Sequence, residues 1–323
     1  MSDKTAPVLI TGGTGFAGSH LIEALLAAGY TNVHTTVFRD PPSHLTLLLP
    51  AENFHPADLT DQDATAKLLK TLQPTQIYHL ASFAAVSSSY GGVREVLTNN
   101  IGLQVNLLEA VKAHVPQTRV LSIGSADGYG MSESSDELPV SEEHPLRPVN
   151  PYSVSKVAQD LLAYSYSVAY KLDIVRARPF NHFGERQSPD FALPAFMTQI
   201  AKIEQGEQTE LQVGNLTAIR DLTDVKDMVR AYVLLMEKGV SGESYNIGTG
   251  VGVQMQTVVD MLAVMATTSI VVTQDPARMR PIDVPELVAA NAKIKALGWE
   301  PEHSLEESLK RTLDWYREVQ HKK

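Results

Sequence analysis

Apolar residues recur along this chain in two alternating registers. Short runs rich in valine, isoleucine and leucine occur at 7–11 (PVLIT), from Val33 to Phe38, at 76–81 (QIYHLA), 119–125 (RVLSIGS) and 173–179 (DIVRARP). They are too short for buried helices and predict strands covered on both faces. Between them, apolar residues fall at helical spacing after Gly18, from Thr60 or Asp61 to about Leu72, from Val93 to Val115, and from Pro151 onward. Asn150 can cap the last of these and Pro151 suits its first position. Its Val154, Val157, Ala158, Leu161, Leu162, Val168 and Ala169 predict a buried stripe. Strand and helix alternating at this spacing predict a doubly wound parallel α/β sheet with right-handed crossovers. After Pro179 the segments become short and mixed. A helix over 224–238, a strand and turn at SYNIGTG, and a final helix follow, the last opened by Ser304 and Glu307 at capping-box spacing.

Composition narrows the class. The chain has 323 residues, 43% of them apolar, enough to bury a large core. No run reaches the roughly 18 apolar residues of a membrane span, and the N-terminal stretch before the first strand has no apolar segment, so a cytoplasmic protein is expected. There is no cysteine, which excludes disulfides, thiolate metal sites and cysteine nucleophiles. No metal site is expected. The net charge of −10 argues against nucleic acid as a partner, so an anionic ligand must be met by local arginines.

The first strand runs into TGGTGFAG (11–18) and then a helix. Gly12, Gly15 and Gly18 fall three apart, and Gly13, Gly15 and Gly18 satisfy G-x-G-x-x-G. Either set lets backbone approach a pyrophosphate at a helix N-terminus, which makes Gly12, Gly15, Phe16, Ala17 and Gly18 candidate dinucleotide contacts. An acidic residue ending the second strand would select NAD. Arg39 stands there instead and can pair with a 2′-phosphate, so NADP(H) is favoured, with NAD(H) possible because Asp40 follows. The expected division is a Rossmann domain over 1–179, to which 221–245 returns, and a smaller α/β substrate lobe from 180–220 and 246–323.

Ligands of such sheets lie beyond the carboxyl ends of the strands, where Ala81, Ser82, Ser125, Asp127 and Asn181 also fall. The start of the Pro151 helix should face the same crevice, with Tyr152 and Lys156 four apart on one face. That pair alone also fits an exposed helix edge. Beside a cation, a phenol's pKa is expected to fall toward the range where acid/base work is efficient.

The ordered set TGGTGFAG, Asp58-Leu59, HLAS at 79–82, Asn99-x-x-Gly102, Ser125, Tyr152-x-x-x-Lys156, RPFN at 178–181 and Arg220-Asp221 resembles extended short-chain dehydrogenase/reductases acting on nucleotide sugars. Within them GSADGYGM, RPFNHFG, VGNLTAIRDLTDVKD and MRPIDVP are most like reductases of GDP-4-keto-6-deoxyhexoses, with GDP-mannose 4,6-dehydratases close behind. The resemblance implies Tyr152 as acid/base, Lys156 holding the nicotinamide ribose and lowering the tyrosine's pKa, and Ser125 bonded to the reacting oxygen. Asn99 would brace the active-site helices. Asp58 and Leu59 would hold adenine, with Leu80, Ala81, Ser82 and Pro179 along the cofactor. Asn181, Arg220 and Arg280 would hold a GDP-linked or other nucleotide-linked sugar.

It further implies a homodimer through a four-helix interface. Dehydratases of this group carry threonine and, two residues on, glutamate where Ser125 and Asp127 stand. The shorter carboxylate favours reduction over dehydration, since a misplacement of about 1 Å can cost on the order of a hundredfold in rate. A 4,6-dehydratase or C4 epimerase with tightly held NAD(P) remains the alternative, and a non-catalytic NADP-binding regulator a remote one.

Overall fold

The computed structural model describes residues 3–38, 40–83, 89, 91–131, 137–279 and 282–321. Arg39 and Arg280, the first expected at a 2′-phosphate and the second at the sugar nucleotide, lie outside the described residues. Among the described residues seven strands pair in parallel, in the order Ser244–Ile247, Ile174–Pro179, Arg119–Ile123, Gln76–His79, Val8–Thr11, Val33–Val37 and Phe54–Pro56. The chain's direction of travel reverses between Val8–Thr11 and Gln76–His79, which opens the ligand crevice of a doubly wound sheet there.

Side chains alternate across the sheet, so each strand feeds two cores. Val8, Ile10, Tyr78, Leu121 and Val175 join one with the Phe16–Ala27 and Val225–Lys238 helices. Leu9, Ile77, Val120 and Ile174 join the other with the Gln62–Leu72, Val93–His114 and Pro151–Tyr170 helices. This explains the near-continuous apolar runs in the sequence.

Caps set the helix starts. Asp61 accepts from Asp63 N and Ala64 N, and Asn150 and Ser153 form a reciprocal capping box. Ser304 and Glu307 do the same ahead of the Leu305–His321 helix. Asp224 caps Val225–Lys238 directly after the Ile219–Asp224 strand.

Beyond Pro179 a second core forms around Phe196, Met197, Ile200, Val258, Leu262, Leu309 and Leu313. Its Ala192–Glu204 and Met255–Met265 helices lie in stretches the sequence pattern leaves as mixed. A small sheet stands beside it, in which Ile219–Asp224 pairs with Asn181–Phe183, Gly252–Gln254 and Glu286–Leu287.

Of the buried stripe expected on the Pro151–Tyr170 helix, Val157, Ala158 and Leu162 are half-buried and the other residues exposed. The buried residues of this helix are Ser153, Ser155, Lys156, Gln159, Asp160 and Ala163, whereas Val154, Leu161 and Val168 are exposed. Each buried polar side chain has a specific partner: Ser153 in the cap, Ser155 and Gln159 on Asn100 of the neighbouring helix, and Lys156 and Asp160 on the sheet.

Candidate active site

Gly12 leaves the first strand at φ +73°, and a Cβ there would lie 2.9 Å from Ala81 N. A Cβ on Gly18 would lie 2.2 Å from Gly12 O. Any side chain at either position would fill the turn. Gly15 is the N-cap of the Phe16–Ala27 helix and supplies no side-chain cap, which leaves first-turn N–H groups for an anion. Phe16 and Ala17 are the first two residues of that helix. Ala81 N takes a hydrogen bond's donor role to Thr11 Oγ1 at 3.2 Å, and Leu80 N donates to Thr11 O at 3.1 Å.

Beyond the second and third strands a cleft of about 460 Å³ is lined by Val37, Phe38, Asp40, Pro41, Phe54 and Pro56 among others. Asp58 is exposed and Leu59 buried. Asp58 accepts from Thr60 N and Oγ1 and orders the turn that leads into the Gln62–Leu72 helix. These features fit a dinucleotide: two crowded glycines, a bare helix start, and an apolar cleft past the second strand.

The expected catalytic side chains meet. The Ser125 side chain and the Asp127 carboxylate both lie close enough to Tyr152 to act on its phenol. Ser125 also accepts from Asp127 N at 3.2 Å, capping the Ala126–Tyr129 turn. Lys156 Nζ donates to Ile123 O at 2.7 Å and Gln159 Oε1 at 3.0 Å, and reaches Ser82 Oγ at 3.4 Å.

Two expectations need correction. Burial, and then the Asp127 carboxylate, push the Tyr152 phenol well above its ordinary pKa instead of toward neutrality. Lys156 itself is pulled down to about 7 by burial, opposed by Asp160. The brace expected at Asn99 falls on Asn100. Asn100 is fully buried, accepts from Phe83 N at 2.8 Å, and donates to Ser155 Oγ at 2.9 Å and Phe83 O at 3.1 Å. Asn99 sits one residue round the helix, only half-buried.

On the opposite side, Pro179 is buried at the end of its strand and Asn181 is exposed at the start of the next. Arg220 donates to Asp283 Oδ1 at 2.8 Å, and Asn215 holds the other carboxylate oxygen at 2.9 Å. Arg220 and Asp221 do not form a surface pair. Asp221 is fully buried and accepts from Thr249 N and Oγ1, Gly250 N and Ala289 N. It pins the 248–250 turn against the small sheet.

The profile of the GDP-mannose 4,6 dehydratase family matches residues 9–312. The chain belongs to that family. It is thus an extended short-chain dehydrogenase/reductase. It is 33% identical over 318 residues to GDP-6-deoxy-D-mannose reductase of Pseudomonas aeruginosa, covering 98% of this chain and 99% of that one. The solved structure of RMD from Pseudomonas aeruginosa complexed with NADPH superposes with a TM-score of 0.85 at 31% identity, covering 98% and 100% of the two chains. UDP-glucose 4-epimerase of Thermus thermophilus in complex with NAD gives 0.85 at 27% identity, covering 96% and 99%.

In this family member several site-building residues escape sequence reasoning. His79 is buried, bonded to Thr11 Oγ1 at 2.7 Å, and held neutral, its pKa lowered to about 3 by burial and then by Lys156. Asp160 accepts from Arg176 at 2.7 Å and from Arg178 at 2.8 and 3.2 Å. Arg178 also reaches Tyr129 OH at 2.9 Å, and Tyr129 donates to Asn246 at 2.6 Å. That buried cluster ties the Tyr152 helix to the outer strands. The available signal was the polar character of positions 155, 156, 159 and 160 at helical spacing, which marks a polar face as readily as an apolar one.

Proposed function

We propose that this protein reduces the C4 carbonyl of a GDP-4-keto-6-deoxyhexose with NADPH, NADH being a possible substitute, to give a GDP-6-deoxyhexose such as GDP-rhamnose. The observation that carries the reading is the convergence of Ser125 on Tyr152, with Lys156 one helical turn on, at the strand ends of a dinucleotide-type glycine turn. The near full-length similarity to a GDP-6-deoxy-D-mannose reductase supports the substrate class.

Gly12, Gly15, Gly18, Phe16 and Ala17 would hold the pyrophosphate, Asp58 and Leu59 the adenine end, and Ser82 and Lys156 the nicotinamide ribose. When bound, NADPH supplies a hydride to C4. The chain's residues handle the oxygen. Ser125 orients the carbonyl by donating to it, and Tyr152 gives its proton as the carbonyl electron pair moves onto oxygen. One C–H and one O–H bond form for the π bond lost.

The raised pKa of Tyr152 suits this direction, because a reductase needs the phenol protonated when substrate arrives. Asp127 lies close enough to act on the phenol electrostatically and supports a role in keeping that proton in place. Asn181 and Arg220, with Arg280, would hold the sugar nucleotide in the lobe formed from 180–220 and 246–323. The protein would act in the cytoplasm, as a homodimer through the Val93–His114 and Pro151–Tyr170 helices.

Incubating the protein with NADPH and GDP-4-keto-6-deoxymannose should oxidise the cofactor. Tyr152→Phe should lower turnover by about a thousandfold or more while NADPH still binds. Absence of oxidation with GDP-, dTDP- and UDP-linked 4-keto sugars alike would sink the proposal. Loss of water from GDP-mannose without added NADPH would assign the dehydratase reaction instead.

A further inference from the structure

Beneath Lys156 the structure holds an unusual bridge. An ammonium buried in a protein needs three acceptors. Lys156 is 5% exposed and finds Ile123 O at 2.7 Å, Gln159 Oε1 at 3.0 Å and Ser82 Oγ at 3.4 Å. Of these only Gln159 is a side chain at full hydrogen-bond distance, and it is itself 1% exposed. Its other end is also committed, since Gln159 Nε2 donates to the main-chain carbonyl of Asn100 at 2.8 Å. Asn100 in turn clamps Phe83 and Ser155. One amide therefore links the ammonium to the backbone of the Val93–His114 helix.

We propose that Gln159 is a positioning residue of the active site, fixing the Lys156 ammonium from below with a neutral acceptor anchored on Asn100. An amide neither takes nor gives a proton at working pH, so this side of Lys156 is closed to proton traffic. The third contact, to Ser82 Oγ, is the longest of the three.

The charged and titratable groups around Lys156 are few. Tyr152 and Asp160 share its helix, and His79 faces it from the end of the Gln76–His79 strand. Arg176 and Arg178 come from Ile174–Pro179 and are engaged by Asp160. Asp127 faces Tyr152 from the Ala126–Tyr129 turn. Gln159 is the neutral side chain closest to the nitrogen, so exchanging it changes the ammonium's surroundings directly.

The inference rests on the proposed reductase reading for its kinetic meaning, but not for its principal test. The full-length protein is labelled with [13Cε]lysine, and the Lys156 resonance is identified by its loss in Lys156→Arg and titrated against pH. Gln159→Glu places a carboxylate on the ammonium and should raise the midpoint by about one pH unit or more. Gln159→Met, close in length and volume, removes the acceptor and should lower it by about one unit.

A merely structural glutamine would behave differently. Loosened packing would admit water and move both midpoints up, toward that of a free lysine. A rise in Gln159→Met, or no shift in either variant, therefore overturns the proposal. If Gln159→Met does not fold, Gln159→Leu takes its place, its midpoint having to fall by a similar amount. The pH limb of kcat/KM assigned to Lys156 should move in the same order in the NADPH assay. A chain that turned over no nucleotide sugar would fail only that kinetic arm, while the resonances would still separate.

Discussion

Asn99 and Asn100 are adjacent and chemically identical, yet only one is built into the site. Asn100→Ala removes three hydrogen bonds to Phe83 and Ser155 from a fully buried position and should cost about 1–3 kcal/mol in denaturant unfolding, with turnover reduced. Asn99→Ala, half-buried on the same helix, should stay within about 0.5 kcal/mol of the parent. Equal effects would return the brace to Asn99.

His79 makes a pH prediction. Its folded pKa of about 3 lies below the ordinary value near 6.5, so the unfolded chain binds the extra proton across that interval. Stability should therefore rise with pH from about 3 to about 6.5, by up to about 1.4 kcal/mol per unit from this group. His79→Gln should flatten that slope in urea titrations, and an unchanged slope would assign the acid sensitivity elsewhere.

At this scale the sequence was partly legible. Gly12, Gly18, Ser125, Tyr152 and Lys156 are marked by spacing and by their place after strands. Asn100 is missed because a one-residue register on a helix turns a side chain by roughly 100°, and nothing local distinguishes two successive asparagines. Gln159 and Asp160 are missed because their roles depend on partners far away in the chain, Asn100, Arg176 and Arg178.

Among the elements, the Pro151–Tyr170 helix is the one on which the site depends. Its start is fixed by the Asn150–Ser153 box, which sets where Tyr152 points. Asn150→Ala should cost about 1 kcal/mol by thermal or urea unfolding and lower turnover more than that loss of stability explains. Turnover unchanged at full folding would show that the cap serves stability only.

Elements of the first half are readable because parallel strands buried on both faces leave continuous apolar runs. Phe54–Pro56, Leu211–Val213 and Val272–Gln274 are not, each having three residues, too few for any period. The outward-facing apolar residues of the Tyr152 helix have a physical cause as well. Its interior side is satisfied by ion pairs and hydrogen bonds, so its apolar residues are free to face outward.

Across the whole molecule, that outward face gathers Leu161, 51% exposed, with Val154, Tyr164 and Val168, beside the Val93–His114 helix on which it packs. An apolar surface of this kind suits a second copy of the chain. Leu161→Glu with Val168→Glu should convert the proposed dimer to monomer in analytical ultracentrifugation, with circular dichroism unchanged. A parent protein that sediments as a monomer would remove the interface. Buried charge matters at this scale too, since Asp160 pairs with both Arg176 and Arg178 where the Pro151–Tyr170 helix meets the Ile174–Pro179 strand.

The strand Ser244–Ile247 completes the large sheet only after the chain has passed through the small one. During synthesis this has a cost in time. Until residue 247 has left the ribosome, Ile174–Pro179 is an edge with one side of its backbone unpaired, and Tyr129 lacks Asn246 as its acceptor. The nascent protein must keep that edge from other chains while nearly a quarter of its length is still unmade. The same late arrival means that the large sheet cannot be completed before the strands and helices between Pro179 and Ser244 have been made.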